Sequence, residues 1–190
     1  MKKVLNKLAS ELCTHFDLEK EAEALLVPDQ TPEQFLNALI EAKQYYSAVV
    51  FLAHALPKRE SVWWSCVCTK ATITELASKD NLEALKSAEQ WVYSPTEDNR
   101  RVAEKLAEKT EYVTPSSWTA MAAFWSGGSV TGPDEPPVPP AQYLYANAVA
   151  GAVNLSASFD KNNDTEQLYE TFLKQGIDIA NGGNGEIAAA

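Results

Sequence analysis

Side chains able to do nucleophilic, acid–base or metal chemistry are few in this chain. There are two histidines, His15 and His54, and three cysteines, Cys13, Cys66 and Cys68. His15 stands beside Phe16 and His54 beside Ala53, each in an apolar stretch of helical spacing. A histidine so placed is more often a core or boundary residue than a catalyst, because environment and not identity sets its role. Cys66 and Cys68 form a Cys-x-Cys pair. Residues two apart on a helix point to different faces, so the pair chelates poorly, and zinc sites carry wider pairs with two further ligands. Both are expected as small buried hydrophobes. A nucleophilic cysteine working with His15 or His54 stays open, without a family-type signature around either cysteine.

The acids read as ordinary surface chemistry. Glu19, Glu21 and Glu23, and Glu97 with Asp98, suit solvated helix faces or first turns, where a carboxylate complements the helix dipole. Asp160 to Asp164 lacks the glycine and closing glutamate of a calcium loop and reads as a turn plus N-cap. Gly182-Gly183-Asn184-Gly185 is followed by neither helix nor lysine, which removes a phosphate loop. Gly-x-Ser-x-Gly and His-Glu-x-x-His are both missing. No catalytic residue, metal ligand or cofactor is expected.

The unusual content is aromatic. The chain has five tryptophans, Trp63, Trp64, Trp91, Trp118 and Trp125. Successive helical residues are about 100° apart, so Trp63 and Trp64 cannot face one core, and one of them belongs at a seam or a surface. Arg59 and Glu60 precede them and either tie the helix start to a neighbour or stay solvated. Trp118 and Trp125 run into Gly127-Gly128 and then into Pro133, Pro136, Pro137, Pro139 and Pro140. Prolines this dense cannot continue a helix and favour an extended polyproline II path, which tryptophan commonly holds, within a chain or from a partner. The segment is either a docking ligand or an ordered strap over tryptophan. Its place between an aromatic helix and a small-residue helix favours the strap. Arg59, Glu60, Trp63, Trp64 and Trp125, with Pro136, Pro137, Pro139 and Pro140, are the residues expected to carry partner binding.

The elements that would position these residues are helical. Leu5, Leu8, Leu12 and Phe16 recur at helical spacing from Val4, and a short second helix holds Ala22, Leu25 and Leu26. Thr31-Pro32 with Gln34 reads as a capping box opening one helix that carries Phe35, Leu39, Ala42, Tyr46, Val49, Val50 and Ala53 to about Leu56. Ser94-Pro95-Thr96-Glu97 reads as a full capping box with proline in the first turn, and Thr114-Pro115, Asp80 with Glu83, and Asp164 with Gln167 give further starts. Ser61 to Leu76 is rich in β-branched residues but too long and too free of turn residues for a strand, so it reads as helix. From Ala141 to Phe159, Ala146, Ala148, Ala150, Gly151 and Ala152 would let neighbouring backbones come close. No strand signal or fixed-period repeat is visible, and the tetratricopeptide pattern is missing. The expectation is all-α: a single irregular bundle of about eight or nine helices over residues 1–183 with a proline-rich crossover, then a frayed tail at 184–190.

Composition narrows the partners. The 190-residue length fits one domain, and a hydrophobic content of 45% supports a core. A net charge of −10 with scattered Lys and Arg argues against nucleic acid and against an anionic membrane surface. The odd cysteine count gives no closed disulfide framework, and polar residues interrupt the N-terminal apolar run, so no signal peptide or membrane span is expected. A soluble cytoplasmic protein is the resulting expectation.

Several blocks together carry a family resemblance. They are Leu56 to Cys66; Ala88 to Val92 with Pro95 and Asn99-Arg100; Trp118 and Ala123 to Ser129; Pro136 to Pro140; Asn147 to Val153; and Gly176 to Ala180 with Gly182. On these the chain resembles a bacterial domain-of-unknown-function family of similar length, over most of Leu56 to Gly183 and only loosely in the N-terminal third. The resemblance implies no catalytic residues. It does imply an association with bacterial secretion and signalling genes, type VI secretion clusters included. The expected function is a non-enzymatic protein-interaction module, an adaptor or accessory of such an apparatus, with another protein as partner. The alternatives are a small enzyme or ligand binder with a tryptophan-lined pocket, using Glu60 or His54, and an effector or immunity protein whose acidic charge complements a basic toxin.

Overall fold

A helix ends where its last carbonyls find partners, and here that need divides the chain more finely than its hydrophobic pattern does. A computed structural model describes residues 1–73, 77–132, 134–158 and 164–187. They form α1 (Ala9–Leu12), α2 (Lys20–Glu23), α3 (Pro32–Glu41), α4 (Tyr45–Ala55), α5 (Lys58–Thr72), α6 (Lys79–Tyr93), α7 (Glu97–Lys109), α8 (Pro115–Phe124), α9 (Leu144–Ser158) and α10 (Thr165–Asn181), with a 3-10 turn at Cys13–His15. No strand occurs among the described residues, and the fold is all-α. The readings placed on Leu76, Pro133, Phe159, Asp160 to Asn163 and the last three residues fall outside the described residues.

Three of the start signals hold. Thr31 and Thr114 accept from the backbone N–H groups of Gln34 and Ser117, whose side chains accept in return from the cap backbones, with proline in each first turn. Asp164 caps α10 through the Gln167 N–H. Two starts shift. The cap of α6 is Ser78, accepting from Asn81, and Asp80 lies inside the first turn. The cap of α7 is Thr96, accepting from Asn99, which leaves the Ser94 carbonyl to the Asn99 side chain.

Two expected helices differ more. Met1 to Leu8 is not helical: Lys3 N–H donates to the Ala180 carbonyl and Ala9 N–H to that of Gln30, both at 2.8 Å, and Leu5 is 87% exposed. These bonds to other segments replace the helical ladder that the spacing suggested. The long helix after Thr31 breaks into α3 and α4. Lys43 turns left-handed at φ 56°, Lys43 N–H donates to Ile40, and Gln44 N–H donates to Leu39 at 2.8 Å. This is a Schellman stop made without glycine, at a cost of about 1–2 kcal/mol that only packing can offset.

The centre is built from helices that are apolar or small nearly all round. Every residue of α8 except Trp118 is buried, and α8 packs against α5, α6, α7 and α9. The expected small-residue helix is α9, which packs against α4, α5, α8 and α10 with Ala146, Ala148, Ala150 and Ala152 buried. Gly151 is the exception. It is exposed, and a methyl group there would meet nothing within 4 Å. The close approach is made instead by Gly176 of α10, where a Cβ would lie 2.6 Å from Leu52 Cδ2 and 2.8 Å from Trp64 Cε2.

Alanine favours a helix over glycine by about 0.5–1 kcal/mol, whereas overpacking a core costs about 1–3 kcal/mol. The Trp64 ring cannot retreat easily, because its Nε1 donates to the Phe172 carbonyl at 2.8 Å. Gly176→Ala should therefore lower the urea unfolding midpoint, and Gly151→Ala should raise it. Equal shifts in the two variants would remove the close-packing account of Gly176.

Candidate functional site

The residues at the start of α5 are held by three separate segments. Arg59 Nε donates to the Val92 carbonyl at 2.6 Å, placing the guanidinium at the last turn of α6, where a cation suits the helix dipole. Glu60 pairs with Lys3 at 3.0 Å. Trp63 Nε1 donates to the Asn184 carbonyl at 2.8 Å, and its ring meets Tyr93 edge to face with centroids 5.7 Å apart. Gly182, left-handed at φ 102°, ends α10 and turns the chain back so that Asn184 reaches Trp63, and Gly185 N–H donates to Asp178 at 2.9 Å.

These groups surround a cleft of about 570 Å³ lined by Lys3, Arg59, Glu60, Trp63, Tyr93 and Asn184, among others. Tyr93 is 68% exposed, so the cleft opens to solvent. Among the described residues the terminal nitrogens of Arg59 have no hydrogen-bond partner, whereas the charges of Lys3 and Glu60 are matched to each other. Arg59, Glu60 and Trp63, singled out from sequence, thus share one site. Tyr93, Lys3 and Asn184 joined it unannounced, because nothing local in the sequence links them to Trp63.

The other expected residues lie elsewhere. Trp64 is fully buried, bonded to Phe172, and contributes no surface. Trp125 is half-buried next to Trp118, with centroids 6.3 Å apart, and does not line the cleft. Pro136, Pro137 and Pro139 are exposed rather than covered, and Pro140 is half-buried. The crossover that carries them is ordered by polar contacts: Val130 N–H donates to Val138 at 2.8 Å, Val138 N–H to Ser129 Oγ at 2.9 Å, and Thr131 Oγ1 to Pro136 at 2.8 Å.

Arginine anchors this crossover. Arg100, only 3% exposed, donates to the carbonyls of Phe124 and Ser129, both at 2.8 Å, forks onto Glu97 at 2.6 Å, and lies over the Phe124 ring. Arg101 donates to the Thr131 carbonyl at 2.6 Å. Gly128, at φ +63°, lets the backbone come against the Arg100 guanidinium, which a Cβ would meet at 2.6 Å. Sequence reasoning missed both arginines. Their only local signal is the spacing from Glu97, which is also that of a solvated helical pair.

The residues with latent chemistry are quiet. Cys66 and Cys68 are fully buried, and burial pushes both thiols well above their ordinary range; Cys13 is pushed up to about 11 by the same cause. His54 is 2% exposed, packed against Phe16 and Tyr143. Its Nδ1 donates to Val50 at 2.8 Å, and its Nε2 has no partner among the described residues. Burial lowers its pKa, the bond to the Val50 carbonyl opposes that shift in part, and the nearby His15 adds to it. Among the described residues no group of three His, Cys, Asp or Glu could hold a metal ion, and no helix is long and apolar enough to cross a membrane.

A family model matches residues 35–180, more than half of the chain. The chain belongs to DUF6931, a family of unknown function. Arg59, Glu60, Trp63 and Tyr93 fall inside the region shared with DUF6931, as do Arg100, Gly128 and the proline crossover, while Lys3 and Asn184 lie outside it. No curated protein matches the chain, and no solved structure does.

Two expectations test this description. Arg100→Ala removes the donors of two carbonyls, and hydrogen bonds from a charged group are worth about 1.5–3 kcal/mol each, so stability should fall by at least that much. Proteolysis within 129–138 should also accelerate, and an unchanged cleavage rate would show that the crossover is held by something else. Because the folded pKa of His54 lies below its ordinary 6.5, His54 costs nothing at higher pH, and its share of stability is lost as pH falls through 6.5. Urea unfolding across that range should show a slope of up to about 1.4 kcal/mol per pH unit, absent in His54→Leu.

Proposed function

We propose that this DUF6931 protein is a non-catalytic recognition module that docks an extended, carboxylate-bearing segment of a partner protein into the Trp63 cleft. The observation that carries the proposal is the Arg59 guanidinium. Its Nε is fixed on Val92, its terminal nitrogens are free of partners among the described residues, and Trp63 and Tyr93 stand beside it. A planar fork held in place reads a carboxylate bidentately, and the two rings supply rigid apolar area at low entropic cost. The net charge of −10 disfavours a long acidic run in the partner, so one or two carboxylates on an otherwise apolar segment fit best.

The family resemblance adds a setting, the periphery of a bacterial secretion apparatus with type VI as the leading case, and that setting is part of the proposal. Affinity purification from the native host tests both parts. The wild type should retain a partner that the Arg59→Gln/Trp63→Ala double variant loses while still folded, with wild-type far-ultraviolet dichroism and cooperative unfolding above the assay temperature. Partners unchanged in that variant would remove the cleft from the function, and the lack of any secretion component would remove the setting.

A second reading, a small-ligand binder, is favoured by the cleft volume, which lies within the roughly 300–1,000 Å³ of such sites. It calls for a small molecule that raises the thermal midpoint of the isolated wild type and not of the double variant.

A further inference from the structure

We infer that the segment read by the Trp63 cleft is the Asp134–Pro140 part of the crossover of a second copy of this chain, so that copies join head to tail. The inference rests on the recognition role argued for the cleft and names its occupant.

The crossover has the properties of a prepared ligand. Pro136, Pro137 and Pro139 are exposed, and Val138 between them is 48% exposed. Proline fixes φ, and the bonds from Ser129, Val130 and Thr131 hold the backbone, so little conformational freedom remains to be lost on docking. The carbonyls of Pro136 and Val138 are engaged inside the loop, whereas those of Pro137 and Pro139 accept nothing among the described residues. Glu135 accepts from Gly132 N–H at 3.0 Å, which leaves exposed Asp134 as the carboxylate without a partner among the described residues.

The cleft has the complementary set. Aromatic rings with a nearby donor are how proteins read a polyproline path, and an arginine beside them selects a flanking acid. Glu60 is already matched by Lys3, so Arg59 is the cation with spare donors. Glu186 at the rim opposes a second carboxylate, and in the crossover the second one, Glu135, is tied back to Gly132 N–H inside its own loop. Within a chain, no hydrogen bond or ion pair among the described residues joins the crossover to the residues lining the cleft. The grip on the crossover comes from α7 and its own loop, and the cleft is built from the N-terminus, α5, α6 and the turn after α10. Both halves of a recognition pair are present and apart, so a second copy brings them together. The two patches differ, so each junction leaves one free crossover and one free cleft, and the assembly grows as a ring or an open chain.

Sedimentation velocity of the full chain at rising concentration tests this. The wild type should gain mass beyond a monomer. Trp63→Ala, and separately Pro136→Ala/Pro137→Ala/Pro139→Ala, should each weaken association by about tenfold or more, as loss of an anchor does, with unchanged far-ultraviolet dichroism and cooperative unfolding above the assay temperature. An equimolar mixture of the two variants keeps one intact junction, so it should form dimers and nothing larger. A wild type that stays monomeric, or a variant that associates as tightly as the wild type, overturns the inference. Neither result touches the recognition role, which stands or falls on partner loss in the Arg59→Gln/Trp63→Ala variant.

Discussion

Trp64 and Gly176 are the contact on which the rest of the molecule turns. The indole is fully buried, its Nε1 bonded to a backbone carbonyl of α10, and only a residue without a side chain allows α10 to lie that close to it. The contact fixes α5 and α10 as one unit. It also fixes the next residue back. With Trp64 facing the core, the helical rotation of about 100° directs Trp63 outward, to where the chain leaving α10 passes. The Asn184 carbonyl receives its Nε1–H, and the floor of the cleft follows from a packing event in the core.

Arg100 plays the corresponding part at the crossover. A buried guanidinium is costly unless its donors are used, and here they reach Phe124, Ser129 and Glu97 while the cation lies on the Phe124 ring. The end of α8 and the start of the crossover therefore share one anchor. A segment of exposed prolines, which has few means of packing on its own, becomes an ordered feature of the surface. The charge also explains Gly128, whose left-handed backbone and missing side chain make room for it.

Local chemistry was the legible part of the chain. Thr31 with Gln34, Thr114 with Ser117 and Asp164 with Gln167 act within one turn, so their caps follow from neighbours in sequence. Where two caps compete within a few residues, as Ser94 and Thr96 do, sequence does not rank them, because both can accept the same kind of bond. The Lys43 stop was hidden for a different reason. A lysine carries no turn signal, and its left-handed backbone shows only where the Lys43 and Gln44 N–H groups close the end of α3. The candidate site shows the same division. Arg59, Glu60 and Trp63 were visible as a charged and aromatic run, while Lys3, Tyr93 and Asn184 come from distant segments that meet them only in the fold.

The sequence by itself determined an all-helical fold, three of its capped starts, a small-residue helix after the crossover, and a proline-rich crossover. All of these depend on periodicity, propensity or interactions within a few residues. Tertiary structure alone decided which of two adjacent tryptophans entered the core and which of two glycines marked a close approach. It also decided that a helical arginine was a buried anchor and not a solvated charge, and that Pro136, Pro137 and Pro139 faced water. Burial and the partners of buried polar groups are properties of the whole packed arrangement, and residues far apart in the chain supply them.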